Sequence, residues 1–406
     1  MRRLPWSSIF FIVVGIFSFC LPSSLYAETA TTRHIRIGAI INLTGPYAAR
    51  GQLNVRGMED YVRYVNEITS GISGRKIDLA VVDSGRDNSD TIAYTEELCR
   101  SNKMDIVAIW DGHIFKKAKA IFLKHLIPHI DVSNYQTILR PPVSYAYLPF
   151  GSTALDCYAI LQHIETTHKG SAPPGIGILT ANDTFGKSIL APSRAYASNH
   201  SLQIVAELEF TPNTPDLKPV MLKLKGMGAE YIFMQCAPSD AMAALKSADR
   251  INYNVPFFGA WTLTNANFFN HEKGLIRNRL NVSFPGCLPG DNTSGINLLK
   301  ILVERYKSVS GFHTAYWEGV SIAAIMARAV QKAHETLGKI DGPTVNLALE
   351  TFENEDFGGL IPNITYTDRN HSGSFVTRIV RVNGNQTFRP LTKFWNPKTE
   401  KVTVIP

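Results

Sequence analysis

The chain has 406 residues, of which 45% are hydrophobic and 18% are charged. This composition is typical of globular proteins and excludes a disordered or wholly membrane-embedded chain. The formal net charge is +7, but no segment is a dense run of lysine and arginine. We interpret the excess as surface charge and predict no binding to nucleic acid.

The N-terminus has the three-part pattern of a secretory signal peptide. Residues 1–3 are a short basic start, residues 9–19 are apolar, and Ala27 is the small residue before the expected cleavage point. The apolar run is shorter than the roughly 20 residues that span a bilayer. We therefore predict removal of residues 1–27, a soluble mature chain and a periplasmic location. The alternatives are an uncleaved anchor and lipidation at Cys20, although a phenylalanine precedes this cysteine where a lipoprotein has a small residue.

Four cysteines follow the predicted signal peptide, and none of them forms a CxxC pair. The spacing therefore predicts no zinc site. Export permits disulfides, so one bridge and buried free thiols remain equal alternatives. The four residues are Cys99, Cys157, Cys236 and Cys287.

From residue 34 onward, strand and helix patterns alternate. Apolar residues occupy every second position of 35–41 and recur at helical spacing over 52–68. The predicted strands are 34–41, 76–83, 105–110 and 128–132, and the predicted helices are 52–68, 91–100 and 114–125. This order is typical of a parallel sheet with helices on both faces.

The same order of elements returns after the proline-containing residues 140–142. The predicted strands are 175–180, 202–210, 231–235 and 256–259, and the predicted helices are 186–199, 216–225 and 239–249. Two successive units of the same order predict two α/β lobes.

The last part of the chain begins with helices and ends with strands. The predicted helices are 298–309, 317–334 and 344–352, and the predicted strands are 375–382 and 387–390. Asn383-Gly384 between the two strands is a strong hairpin signal. A late antiparallel hairpin suggests that the chain returns to lobes already built.

No catalytic motif of the GxSxG, HExxH or Walker type occurs in the sequence. Asp83 and Asp87 follow a strand, but a solvated turn explains them better than acid–base chemistry. His125 and His129 lie across a helix end, so we assign them to the surface or to packing. We therefore predict no catalytic residue, no metal, no cofactor and no enzymatic activity.

Aromatic and polar residues follow the predicted strands in both units. Ligands of open parallel sheets bind beyond the C-terminal ends of the strands, where helix N-termini also gather. Ordinary loop packing is the alternative for each residue taken singly. The candidates in the first unit are Tyr47, Arg50, Trp110, Asp111, Gly112, His113, Ser133, Asn134 and Tyr135, and those in the second are Phe185, Ala237 and Trp261.

Three segments carry a resemblance to a known family. They are residues 35–46 (Ile-Arg-Ile-Gly-Ala-Ile-Ile-Asn-Leu-Thr-Gly-Pro), residues 71–79 (Gly-Ile-Ser-Gly-Arg-Lys-Ile-Asp-Leu) followed by Asp83, and residues 182–186 (Asn-Asp-Thr-Phe-Gly). With them the chain resembles the substrate-binding proteins of branched-chain-amino-acid-type ABC transporters, which are type I periplasmic binding proteins. The similarity is clear over 34–130, fair over 175–262 and weak after 290.

The resemblance implies an α/β fold of two Rossmann-like lobes with parallel sheets, joined by three hinge crossings and closing on a ligand. The crossings would lie near 148–151, 282–288 and 357–362. Lobe one would hold 33–149 and 287–358, and lobe two would hold 150–284 and 360–406. The implied function is a monomeric periplasmic solute-binding protein that delivers a small molecule to an inner-membrane ABC permease. A ligand sensor for an envelope receptor or regulator is the alternative, and an exported enzyme is a third hypothesis.

The residues with which the family binds amino acids are largely replaced here. Gly112 and Tyr135 stand where the family has a serine and a threonine for the ligand carboxylate. Trp261 stands where it has the acidic residue for the ligand ammonium, and Ala237 replaces a tyrosine. Trp317 begins Trp-Glu-Gly-Val, the counterpart of a Tyr-Asp-Ala-Val helix motif. The resemblance therefore implies a ligand other than leucine or isoleucine.

The replacements are bulky and flat. Aromatic faces suit planar ligands or cations, Arg50 would pair with a carboxylate, and Asp111 would instead meet a cation. From these residues we predict a planar or aromatic organic acid as ligand. The aromatic candidates are Tyr47, Tyr135, Phe185 and Trp261, together with Trp110.

Overall fold

The computed structural model describes residues 33–45, 47–85, 88–112, 114–133, 139, 145–264, 273–276, 279–383 and 387–405. The predicted signal peptide lies outside the described residues. So do Asp87 and three of the candidate site residues, which are His113, Asn134 and Tyr135.

The first sheet is parallel and has the strand order β2-β1-β3-β4-β5. Its strands are β1 (Ile35–Ile41), β2 (Ile77–Asp83), β3 (Ile106–Ile109), β4 (His129–Asp131) and β5 (Ala146–Tyr147). The connecting helices are α1 (Ala48–Ile68), α2 (Asn88–Asn102) and α3 (Phe115–Lys124). The alternation predicted for 34–132 is confirmed. The short strand β5 was not predicted, because two residues show no periodicity.

The second sheet has the strand order β12-β11-β10-β9-β8-β6-β7. Its strands are β6 (Gly175–Ala181), β7 (Gln203–Phe210), β8 (Tyr231–Gln235), β9 (Phe257–Ala260), β10 (Leu280–Phe284), β11 (Arg378–Val382) and β12 (Phe388–Pro390). Strands β6 to β10 run parallel, and β11 lies antiparallel to both of its neighbours. The predicted late hairpin is confirmed, and it extends a sheet built much earlier in the chain.

The helices of this second part are α4 (Thr153–Thr167), α5 (Thr184–Lys187), α6 (Leu190–Ala197), α7 (Lys218–Gly226), α8 (Pro238–Arg250) and α9 (Lys273–Ile276). The single helix predicted over 186–199 is divided into α5 and α6. Helix α4 was not predicted. Nine of its 15 residues are buried, so apolar residues occur around most of its circumference and the amphipathic period is weak.

Three more helices follow β10: α10 (Ser294–Tyr306), α11 (Thr314–Leu337) and α12 (Gly342–Glu350). Helix α11 packs against α1 at the distance of backbone contact. A Cβ atom at Gly57 would lie 2.3 Å from the carbonyl oxygen of Tyr316, and one at Gly319 would lie 1.9 Å from that of Asn54. Only glycine permits this approach, and it brings the polar residues of the two helices within hydrogen-bond reach.

All four cysteines of the described chain are buried free thiols, which decides between the two alternatives for them. Burial raises the pKa of Cys99 and Cys287 to about 12. Among the described residues no helix combines the length and apolar character needed to cross a bilayer. The predicted boundaries of the two lobes and the three crossings stay predictions.

Candidate functional site

A cavity of about 130 Å³ lies where the C-terminal ends of the parallel strands of both sheets meet. It is walled by the segments that follow β1, β3 and β4 in the first sheet and β6, β8 and β9 in the second. This is the position that the parallel topology predicts for a ligand. The predicted site residues among its lining are Tyr47, Arg50, Trp110, Asp111, Gly112, Ser133, Phe185 and Trp261.

Two predicted site residues lie away from this lining. Ala237 is buried at the start of α8. The Trp317 side chain is fully buried, stacks on Phe150 at 5.4 Å between ring centroids, and donates its indole N–H to the carbonyl oxygen of Leu360 at 2.8 Å. Trp317 therefore lies in the core and outside the lining of the cavity, and its predicted contact with a ligand stays a prediction.

The neighbour of Trp317 on α11 is the residue that the sequence reasoning missed. Glu318 is only 2% exposed, and each of its oxygens accepts two hydrogen bonds. Oε1 accepts from Arg50 Nη2 at 3.0 Å and from Trp261 Nε1 at 2.8 Å. Oε2 accepts from Asn54 Nδ2 at 2.6 Å and from Trp110 Nε1 at 3.2 Å. We call these five residues the Glu318 network.

The Glu318 network changes the role predicted for Arg50. Its guanidinium is paired with the buried Glu318 carboxylate at 3.0 Å, and Nη1 donates to the carbonyl oxygen of Thr264 at 3.4 Å. A buried arginine that already has a carboxylate partner offers little charge to a second one. Arg50 lines the cavity, but its pairing removes the predicted partner of a ligand acid group.

The same network joins elements of the two sheets. Trp261 follows β9 of the second sheet, whereas Glu318 lies on α11, against the first. Thr264 and Thr314 add a hydroxyl–hydroxyl contact of 2.7 Å and a bond of 3.1 Å from Thr314 Oγ1 to the Thr264 carbonyl oxygen. Contacts within the protein therefore connect the two sheets beside the cavity.

A second buried carboxylate lies on the α4 side of the cavity. Asp156 is 6% exposed and belongs to the lining. Its Oδ1 accepts from Ser283 Oγ at 2.6 Å, and Ser283 Oγ also contacts Thr377 Oγ1 at 2.8 Å. Burial raises the pKa of Asp156 to about 7. The signal in the sequence was a single charge within the apolar pattern of residues 154–161.

The remaining electrostatics of the site are also negative. Burial raises the pKa of Tyr47, and nearby acidic groups that include Asp183 and Asp111 raise it further. Behind Ser133, burial raises the pKa of Asp131 to about 7, although Ser133 donates to it from both its backbone and its hydroxyl. No cluster of side chains suited to a metal ion occurs in the part of the chain that the structure describes.

Most of the chain matches one known family. Residues 34–387 match the family model described as periplasmic binding protein. The chain belongs to the periplasmic binding protein family. The family predicted from the sequence is confirmed.

Relatives of this periplasmic binding protein have low sequence identity to it. It is 24% identical over 298 residues to Leu/Ile/Val-binding protein homolog 7 of Brucella abortus (strain 2308), covering 68% of this chain and 71% of that protein. It is 23% identical over 251 residues to Leu/Ile/Val-binding protein homolog 8 of Brucella suis biovar 1 (strain 1330), covering 56% and 58%.

Solved structures share the fold of this periplasmic binding protein over nearly its whole length. A branched chain amino acid ABC transporter from Thermus thermophilus with bound valine is 22% identical, covers 90% of this chain and 97% of its own, and has a TM-score of 0.83. A fatty acid ABC transporter substrate-binding protein from Thermomonospora curvata is 18% identical, covers 92% and 95%, and has a TM-score of 0.81. The predicted type I periplasmic binding protein fold is confirmed.

Proposed function

We propose that this protein captures a small organic molecule in the cavity between its two sheets and delivers it to an inner-membrane ABC permease. The observation that carries the proposal is a cavity with aromatic walls and buried polar groups at the strand ends of both sheets. Membership of the periplasmic binding protein family supports it. So do the neighbours in the fold, whose names describe ABC transporter proteins.

The ligand is not a branched-chain amino acid. In the resemblance, Trp261 takes the place of the acidic residue that receives the ligand ammonium, and here its indole donates to Glu318 instead. Arg50, the cation of the described lining, is paired with the same carboxylate. A ligand α-carboxylate and α-ammonium would therefore both lack the partners that this family provides for them.

The aromatic lining and the volume of the cavity support a planar ligand. Rings of Tyr47, Trp110, Phe185 and Trp261 lie in its lining, and aromatic faces pack well on flat molecules. Its volume of about 130 Å³ is close to the roughly 150 Å³ of an apolar cavity that binds benzene. We infer a ligand about the size of one substituted six-membered ring.

The proposed location is the periplasm, reached through the signal peptide predicted at residues 1–27. N-terminal sequencing of the protein from the periplasmic fraction of the expressing cell tests it. We expect a mature chain that begins just after Ala27. A chain that keeps Met1 and sediments with membranes would contradict this part of the proposal.

Binding is tested by a thermal-shift screen of the mature protein after unfolding and refolding to remove any retained ligand. A ligand at 100 times its Kd adds about 2.7 kcal/mol of stability, which raises the midpoint by a few degrees. The Phe185→Ala variant should weaken binding of any hit about tenfold, or about 1.4 kcal/mol. Tyr94→Ala is the control, because Tyr94 is 49% exposed and lies on α2 outside the lining.

Failure of every small molecule in a broad library to raise the midpoint would contradict the proposal. A ligand that binds without any interaction with a permease would favour the sensor instead. Consumption of the bound compound would favour an enzyme.

A further inference from the structure

The described lining of the cavity contains more carboxylates than cations. Its lining contains the carboxylates Asp111, Asp156 and Glu318, and one cation, Arg50, among the residues that the structure describes. Arg50 is paired with Glu318. Asp156 therefore has no cationic partner among the described lining residues, although the whole chain carries a formal charge of +7.

Asp156 has an incomplete set of hydrogen bonds. Oδ1 accepts one bond from Ser283, and Oδ2 has no hydrogen-bond partner among the described residues. The residue is more than nine-tenths buried and lies in the lining. A carboxylate can accept about four hydrogen bonds, so a ligand that carries N–H groups would complete its shell.

The helix that carries Asp156 opposes an anionic ligand. The free amides at the N-terminus of α4 attract negative charge, but Asp156 lies in the first turn and already supplies it. A ligand carboxylate placed in the cavity would meet the Asp156 carboxylate. Like charges at short range in a buried site raise the free energy of binding.

The aromatic walls favour the opposite charge. A cation over the face of a tyrosine, tryptophan or phenylalanine ring is attracted by the electrons of the ring, and this attraction strengthens when water is excluded. Tyr47, Trp110 and Phe185 supply such rings in the lining that also contains Asp156.

We propose that the cavity selects a ring-sized organic cation, such as an aromatic amidinium or amine, and that Asp156 is its counter-ion. This inference rests on the proposed function and replaces the organic acid predicted from the sequence with a ligand of opposite charge. Asp156 binds the ligand N–H groups, while the aromatic rings bind its flat face.

The test uses three compounds of nearly the same shape: benzamidinium, neutral benzamide and benzoate. Titration calorimetry measures the Kd of each for the mature protein at pH 8. We expect benzamidinium to bind at least about tenfold more tightly than benzoate, with benzamide between them. In Asp156→Asn this preference should fall to about threefold or less. Glu97→Gln removes the same charge from an exposed position on α2, so it should keep the wild-type preference.

Three results would overturn the inference. They are benzoate binding as tightly as benzamidinium, an unchanged preference in Asp156→Asn, and no benzamidinium binding at millimolar concentration. The first and third need only the wild-type protein, so the test stands if the variant does not fold. If other library compounds bind but benzamidinium does not, this inference fails and the proposed function stands. If no compound binds, both fail.

Discussion

Two buried carboxylates belong to the lining of one cavity, and they are stabilised in different ways. Glu318 accepts four hydrogen bonds, from Arg50 and Asn54 of α1, from Trp110 after β3 and from Trp261. Asp156 accepts one, from Ser283 on β10. Both side chains are almost fully buried. The number of hydrogen-bond donors that the protein supplies therefore distinguishes the two. A carboxylate with four donors stabilises the fold, whereas one with a single donor can still bind a ligand.

The physical reason is the free energy of desolvation. A buried carboxylate loses its hydration, and only charge partners and hydrogen bonds replace it. In the Glu318 network, Arg50 and three neutral N–H groups replace that hydration, so removing Glu318 would leave a buried guanidinium without a counter-ion. At Asp156 one hydroxyl replaces it, and burial raises the pKa of the carboxyl to about 7.

The largest expected effect comes from breaking the Glu318 network. Glu318→Gln should lower the free energy of unfolding by about 3–5 kcal/mol, because it leaves Arg50 buried and unpaired. Urea denaturation measures the loss. Glu304→Gln is the control, since Glu304 is an exposed residue of α10. Equal stability of the two variants would show that the network contributes nothing to the fold.

The second prediction concerns Asp156 and pH. Burial raises the pKa of Asp156 from its ordinary value of 3.8 to about 7 in the folded protein. Its contribution to stability is therefore present below pH 4 and is lost as the pH rises to 7 and above. Asp156→Asn removes this loss, so the variant should gain stability over wild type between pH 4 and pH 8. The gain is at most about 4 kcal/mol, at about 1.4 kcal/mol per pKa unit.

The pH experiment compares denaturation midpoints of variant and wild type at each pH. Subtracting the wild-type midpoint from that of the variant removes the contributions of other titrating groups. These groups include Asp131, whose pKa burial also raises to about 7, and His163, whose pKa burial lowers to about 4. A difference that stays constant from pH 4 to pH 8 would mean that Asp156 is solvated like an ordinary surface carboxyl.

A smaller difference in stability is expected between variants of two buried tryptophans whose indole N–H groups have different acceptors. Trp261→Phe removes an N–H bound to a carboxylate, and Trp317→Phe removes one bound to a backbone carbonyl. Hydrogen bonds to charged groups contribute about 1.5–3 kcal/mol and neutral ones about 0.5–1.5 kcal/mol. We therefore expect Trp261→Phe to lower the unfolding free energy more. Since both side chains are fully buried and lose the same atoms, the opposite order would argue against a stronger hydrogen bond from Trp261 to Glu318 than from Trp317 to the Leu360 carbonyl.

The smallest effect is expected at the donor of Asp156. The Ser283 hydroxyl lowers the pKa of Asp156, so Ser283→Ala should move it further upward. The free energy of ionising Asp156 should change by about 1 kcal/mol or less. The measurement compares the stability of Ser283→Ala with that of the double variant Ser283→Ala/Asp156→Asn as a function of pH. The pH at which the two differ should be higher than for the wild type and Asp156→Asn. A shift to lower pH would show that Ser283 does not stabilise the charged form.

Much of the architecture followed from local patterns. The spacing of apolar residues predicts the alternation of strands and helices. Parallel strands follow from this alternation, because a helix between two strands carries the chain back to the edge where the first strand began. Since parallel strands end at one edge, the residues after them could be assigned to one site. Eight of these, among them Tyr47, Phe185 and Trp261, do line one cavity.

What the tertiary structure alone decided was which polar groups meet. Arg50 and Glu318 are separated by 268 positions in the chain and are brought together by close packing of α1 and α11 at glycine. Trp317 and Glu318 are neighbours, but successive residues of a helix point about 100° apart, so one enters the core and the other the cavity. The sequence determined the fold and the edge that holds the site. The hydrogen-bond partner of a polar side chain and the direction in which it points depend on how its helix is rotated and packed. A local sequence pattern contains no information on either.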